Sequence, residues 1–176
     1  MKGRVERREE NLKGRVIRNS IVLLLKIIII IVIFYFIFTS IFGIIRVQSD
    51  TMTPAVRDGD LLIYYRLDDK LHAGDVVVAE VNNKKYVLRI IGVPGDFIEI
   101  KDDKILINGS PEEHIAYYKT VKDKNKKIKY PYRVKAGNYF LVNDYRSFTD
   151  DSRKFGSISR KNILGKVIGK LQTRNI

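Results

Sequence analysis

From Ile27 to Ile45 the chain runs nineteen residues without a charge or a proline, and its apolar positions follow no period that would leave one face polar. At about 1.5 Å rise per residue such a run crosses a hydrocarbon layer of about 30 Å, so the pattern predicts one transmembrane helix over 27–45. After Pro54 the pattern shortens. Runs rich in Val, Ile, Leu and Tyr at 61–65, 76–81, 86–91, 97–100, 104–107, 139–142 and 166–171 are separated by clusters of Gly, Asn and Asp, the signature of strands joined by turns. The stretches N-N-K-K, D-D-K and N-G fall between such runs and predict hairpins, hence antiparallel neighbours. The expected fold is mostly β: an antiparallel β domain over 47–176 behind one N-terminal transmembrane helix, with a basic segment at 1–26. Residues 110–135 break the strand pattern and are expected to form a lysine-rich loop or hairpin excursion from that domain.

Charge orients this arrangement. The chain carries 33 Lys and Arg against 20 Asp and Glu, a net charge of +13, which alone would suggest an anionic partner. Its distribution points to the membrane instead. Up to Lys26 there are eight basic residues (Lys2, Arg4, Arg7, Arg8, Lys13, Arg15, Arg18, Lys26) and three acidic ones (Glu6, Glu9, Glu10), so 8 − 3 gives +5 before the apolar run begins. The positive-inside rule then keeps the N-terminus cytoplasmic and places 47–176 outside, as a single-pass protein of the cell membrane. A cleaved signal peptide fits less well, because the run exceeds the usual apolar core of about 7–15 residues and no small-x-small cleavage pattern follows it. With no cysteine, the outer domain relies on a hydrophobic core rather than disulfides. The stretch from Lys119 to Lys129 reads as a solvated face, and no nucleic-acid partner is expected. His72 and His114 lack a second ligand at metal-site spacing and there is no Gly-rich phosphate loop, so neither metal nor cofactor is expected.

Three stretches carry residue types that plain strands and turns do not need: T-M-T-P at 51–54, Y-V-L-R-I-I-G-V-P-G-D at 86–96 and N-D-Y-R-S-F-T-D-D-S-R at 143–153. Taken singly, the second is a strand ended by a Pro-Gly turn and the third a polar loop of paired charges. In this order, behind one N-terminal helix, they resemble the bacterial type I signal peptidases. That family joins a small-x-Ser-Met-x-Pro box, a Lys-Arg-x-x-Gly-x-Pro-Gly-Asp box and a Gly-Asp-Asn-Arg-x-x-Ser-x-Asp-Ser-Arg box. The resemblance extends from about Val47 to the C-terminal strand and includes G-D-L-L-I and K-A-G-N-Y-F-L-V.

The resemblance implies roles. In the family the serine attacks the scissile carbonyl and a lysine, neutral because it is buried among apolar groups, takes its proton. Thr51 falls at the serine, followed by Met52 and Pro54 of the same box. Leu88 falls at the lysine. Ser49 falls where a family serine helps bind the oxyanion, and Thr149 where a family serine hydrogen-bonds the lysine. Asp144, Arg146, Asp151, Ser152 and Arg153 match the third box, with Arg89, Asp151 and Arg153 expected as one ion-pair cluster. Asn143 and Tyr145 depart from the family's Gly and Asn and are expected to add bulk close to the site.

Leucine cannot accept a proton. Lys85 should face the side opposite Leu88, and Lys84 shares its face but lies four residues away, roughly 13 Å along a strand. Asp50 adjoins Thr51, yet neighbours in extended chain point apart, and an exposed aspartate near pKa ~3.9 is a poor base for a hydroxyl. The chain is therefore similar to the signal-peptidase-like accessory proteins of streptococcal pilus loci, in which both catalytic residues are replaced. That likeness implies a membrane-anchored, catalytically inactive homologue that assists assembly of surface structures such as pili and takes exported proteins or pilin subunits as clients. The alternative is a working peptidase that removes signal peptides with Thr51 as nucleophile and another base.

Overall fold

A computed structural model of the chain describes residues 2–112, 118–122 and 128–172, with residues 2–13 as backbone only. The expected residue His114 and the middle of the lysine-rich stretch, 123–127, lie outside the described residues. Two units are distinguished, 1–41 and 42–176. The first is α1, Lys2–Ile41. Its part from Gly14 to Ile41 is long and apolar enough to cross a membrane. In its last turns the Thr39 and Ser40 hydroxyls donate to the carbonyls of Tyr35 and Phe36, at 2.9 and 2.8 Å, which satisfies polar side chains inside an apolar helix.

The second unit is built of β1 (Phe42–Arg46), β2 (Leu61–Tyr65), β3 (Val76–Val81), β4 (Lys84–Gly92), β5 (Phe97–Lys101), β6 (Lys104–Ile107), β7 (Ser110–Pro111), β8 (Tyr132–Arg133), β9 (Asn138–Val142), the short helix α2 (Ser152–Phe155), β10 (Ile158–Ser159) and β11 (Ile163–Leu171). A seven-stranded sheet runs β1-β2-β11-β3-β4-β9-β10 and a four-stranded sheet runs β7-β6-β5-β8, all pairs antiparallel. The predicted hairpins form for the predicted reason. Asn82 and Asn83 between β3 and β4, and Asp102 and Asp103 between β5 and β6, all take positive φ, from 48° to 62°, the left-handed conformation that two-residue hairpin turns demand and that Asn and Asp tolerate best after glycine.

The apolar run does not stay helical to Ile45. The helix ends at Ile41, and Phe42–Arg46 pairs instead with β2, Gly43 opposite Tyr64 and Ile45 opposite Leu62. An aromatic and β-branched tail with a glycine reads as strand as readily as helix, and the free edge of β2 supplies its backbone partners. Glycine is required here: a Cβ on Gly43 would overlap the Tyr64 ring, and one on Gly165 in β11 would overlap the Tyr65 carbonyl. Gly165→Val, which forces this overlap against backbone, is expected to cost about 3 kcal/mol. Thermal unfolding of the full chain in detergent checks this, an unchanged Tm showing that the strand moves aside freely.

β4 lies between β3 and β9 and is buried on both faces. Leu88 and Ile90 join Leu71, Val77, Ala79, Leu141, Ile158 and Ile163 in one apolar cluster. Val87, on the other face, packs against Val47, Met52, Val56 and Leu62, and Ile91 joins Ile98, Ile100, Ile105, Val134, Phe140 and Val142 under the smaller sheet. The two periodicities of the strand thus split neighbouring residues of the second motif between separate cores.

Candidate active site

The loop carrying Thr51 is pinched at its base and tied along its length. Val47 N–H donates to the Asp60 carbonyl at 2.9 Å and Gly59 N–H to the Val47 carbonyl at 3.0 Å. Met52, 1% exposed, anchors the loop in the cluster with Val47, Val56 and Leu62. Asp50 turns its carboxylate to the Asp58 N–H at 3.0 Å and the Thr53 hydroxyl at 3.5 Å, so its lone pairs serve the turn. Lys170 Nζ, on β11, donates to the Ala55 carbonyl at 2.9 Å. Among the described residues, the Thr51 hydroxyl has one polar side-chain partner, Ser49 Oγ at 3.1 Å. The exposed Pro54 follows the cis bond from Thr53.

The loop 143–153 closes over this one from the end of β9. Tyr145 N–H donates to the Thr51 carbonyl at 2.9 Å, and Asp144 N–H points at Met52 Sδ at 3.4 Å. The loop is held by three arginines. Arg89 grips Asp144 through both carboxylate oxygens, at 2.7 and 2.6 Å, and donates to the Gly74 carbonyl at 2.7 Å. The hydrogen bonds to Asp144 hold the Arg89 guanidinium above its ordinary arginine value, against the opposing pull of burial. Arg153, 1% exposed, pairs with the fully buried Asp151 at 2.6 Å. Its remaining donors serve the carbonyls of Val121, at 2.8 Å, and of Arg146 and Phe148. Arg146, also 1% exposed, donates to both oxygens of Glu112 at 2.6 and 2.8 Å.

The single cluster expected of Arg89, Asp151 and Arg153 is therefore two separate pairs. Asp151 caps α2, accepting from Arg153 N–H at 2.9 Å and from Asn143 N–H at 3.0 Å; its oxygens are committed two residues away, and Asp144 takes Arg89. Ser152 Oγ accepts from Leu141 N–H at 2.9 Å, fastening α2 to β9. Asn143 is buried and its amide donates to Asp151 at 3.1 Å. Tyr145 reaches Thr51 through its backbone, while its ring stacks on Tyr118 with centroids 3.8 Å apart. Thr149 is half-buried in the same loop, its carbonyl accepting from Asp151 N–H at 2.8 Å.

A family model described as signal peptidase, peptidase S26 matches residues 20–171. The chain belongs to that family. It is 30% identical over 136 residues to signal peptidase I V of Bacillus subtilis (strain 168), a match covering 69% of this chain and 81% of the relative. Signal peptidase IB of Staphylococcus aureus (strain N315) is 32% identical over 139 residues, covering 69% of this chain and 73% of the relative. Among solved structures, a signal peptidase I from Enterococcus faecalis V583 aligns at 28% identity and a TM-score of 0.45, over 57% of this chain and 98% of that one.

Within this signal peptidase homologue the second motif is the informative one. From Arg89 to Asp96 every fixed position of the family box is present; Asp96 accepts from Val93 N–H at 2.8 Å and from the Asn108 amide at 2.9 Å, closing the turn in which Gly95 takes φ 101°. Only Leu88 departs. It is fully buried in its apolar cluster, whereas the neighbouring Val87 meets the core that holds Met52. The pairing of β3 with β4 runs without a register shift from Val76 opposite Arg89 to Val81 opposite Lys84. No bulge turns a lysine into the place of Leu88. Lys84 and Lys85 remain exposed, Lys84 lying over the Tyr86 ring at 5.1 Å.

Some residues of the site were not legible beforehand. Tyr118, Glu112 and Lys170 lie far in sequence from the loops they touch, and no spacing rule joins a glutamate at 112 to an arginine at 146. The one available signal was that the third motif carries two arginines, which buried loops need carboxylates or carbonyls to satisfy.

Proposed function

We propose that the chain is a membrane-anchored signal peptidase I homologue that holds exported polypeptides without cutting them. In this reading it serves as an accessory or chaperone protein in the assembly of secreted surface structures such as pili. The N-terminal flank stays cytoplasmic, α1 spans the cell membrane and the β domain works on the outer face. The observation that carries the reading is Leu88: an apolar side chain, fully buried, at the position where the family keeps its proton-accepting lysine. A hydroxyl nucleophile without a base is a weak one, since it must lose its proton as it attacks. Binding is another matter. An extended client is held by backbone hydrogen bonds and shallow side-chain pockets, and neither requires a general base. Replacing a buried lysine by leucine also removes the desolvation cost of an amine from the core.

The alternative is a peptidase that removes signal peptides from exported preproteins. Its support is the hydroxyl pair of Ser49 and Thr51, 3.1 Å apart on a loop tied at both ends. A complementation assay in the native host separates the two. Thr51→Ala, which deletes the hydroxyl and leaves the Thr51 carbonyl to accept from Tyr145 N–H, is expected to support assembly at the level of the natural protein. Loss of assembly, with the variant present in the membrane at normal amount, makes the hydroxyl necessary and puts the peptidase in place of the holding protein.

A further inference from the structure

Three aromatic rings meet beside the Thr51 loop. Tyr118 stacks on Tyr145 at 3.8 Å with an interplanar angle of 23°, and Phe148 tilts against Tyr145 with centroids 5.0 Å apart. The arrangement is exposed where it could have been covered: Tyr118 is 39% and Phe148 49% exposed. Yet its supports are buried. The Phe148 carbonyl accepts from Arg153 and, at 3.3 Å, from the Asn143 amide. Val121, three residues from Tyr118, gives its carbonyl to Arg153 at 2.8 Å. Rings held in place on a fixed loop lose little freedom when something packs on them, which makes them economical contacts for a ligand.

The residue carrying the central ring is tied to the Thr51 loop by one bond, Tyr145 N–H to the Thr51 carbonyl at 2.9 Å. The charge beside this aromatic ledge is equally defined. Lys119 is 86% exposed, with Asp103 3.7 Å away, and Lys122 is exposed, so the flank of the ledge carries two lysines, while the carboxylates of the 143–153 loop, Asp144, Asp150 and Asp151, are each paired with a basic side chain.

We propose that Tyr118, Tyr145 and Phe148 form a specificity subsite that receives an aromatic side chain of the extended exported polypeptide next to Thr51, flanked in that polypeptide by acidic rather than basic residues. The proposal rests on the peptide-holding reading above and names which peptides are held. An aromatic client residue gains apolar burial and an edge-to-face or offset contact that alanine cannot make, and Lys119 and Lys122 repel a basic neighbour. The third motif supplies Tyr145 and Phe148, but Tyr118, which stacks on Tyr145, belongs to none of the motifs.

The test uses the full chain in detergent and fluorescently labelled synthetic peptides containing Ala-x-Ala, in which each flanking position is changed in turn to Phe or Ala; binding is read by anisotropy. One position should favour Phe over Ala by about tenfold in Kd, the size of one good aromatic contact. In Phe148→Ala and Tyr118→Ala, whose substituted rings are exposed and whose fold is checked by thermal unfolding, that ratio should fall to about one. Adding Lys beside the Phe should weaken binding, and the effect should shrink in high salt. Peptides that bind with no Phe preference, or with a preference that survives both variants, overturn the subsite and leave the holding protein standing. If no peptide binds, the holding reading falls and the subsite with it.

Discussion

Arg153→Ala is expected to unfold the β unit, or to lower its Tm by roughly 10–20 °C, the largest stability effect of any single change in the third motif. The pair is fully buried: Arg153 is 1% and Asp151 0% exposed. Removing one partner leaves the other's charge without its counterion, which costs about 3–5 kcal/mol against a typical total of about 5–15. Beyond the pair, the guanidinium satisfies the carbonyls of Val121, Arg146 and Phe148, which alanine leaves without that donor. Arg153→Lys keeps the charge but not the planar fork, so it should fall between the two. The near-UV circular dichroism of the tyrosines, followed with temperature on the full chain in detergent, reports the loss. A Tm within a few degrees of the natural chain would mean that the loop has another way to satisfy these groups.

The second large effect is on rate. In a nucleophile–base unit, removing a principal member costs about a million-fold, because each works only through the other. In the proposed reading the base position is leucine and the nucleophile position threonine, whose extra methyl restricts χ1. Asp50 is engaged by Asp58 N–H and the Thr53 hydroxyl, and the regular β3–β4 register keeps Lys84 and Lys85 from the place of Leu88. Ser49 offers Thr51 a hydroxyl partner at 3.1 Å, which can position it but is no better a proton acceptor. Cleavage of a preprotein or an Ala-x-Ala peptide by the natural chain is therefore expected at background.

How much of this was legible depended on what each signal needed. Strands from β2 to β6, and β9, were readable because alternation and the Asn-Asn and Asp-Asp turns are local. The end of the helix was not: Phe42, Gly43, Ile44 and Ile45 suit lipid as well as a strand, and what decided between them was the free edge of β2 and the room Gly43 leaves for Tyr64, both distant in sequence. The second and third motifs pointed to Arg89, Asp144 and Arg153 as charged neighbours, but not to the pairing among them, since an arginine's partner is chosen by which strand face it leaves. Arg89 shares a face with Val142 through the β4–β9 register, and so meets Asp144 rather than Asp151. The aromatic ledge was invisible because Tyr118 reaches Tyr145 through packing alone.

The central claim, that a signal peptidase scaffold is kept here without its proton-transfer chemistry, is tested most directly by incubating the full chain in detergent with a labelled preprotein beside its Thr51→Ala variant, and following the cleaved product. The account predicts the same background rate for both. Product formed at the signal peptide junction by the natural chain, and abolished by Thr51→Ala, would contradict it.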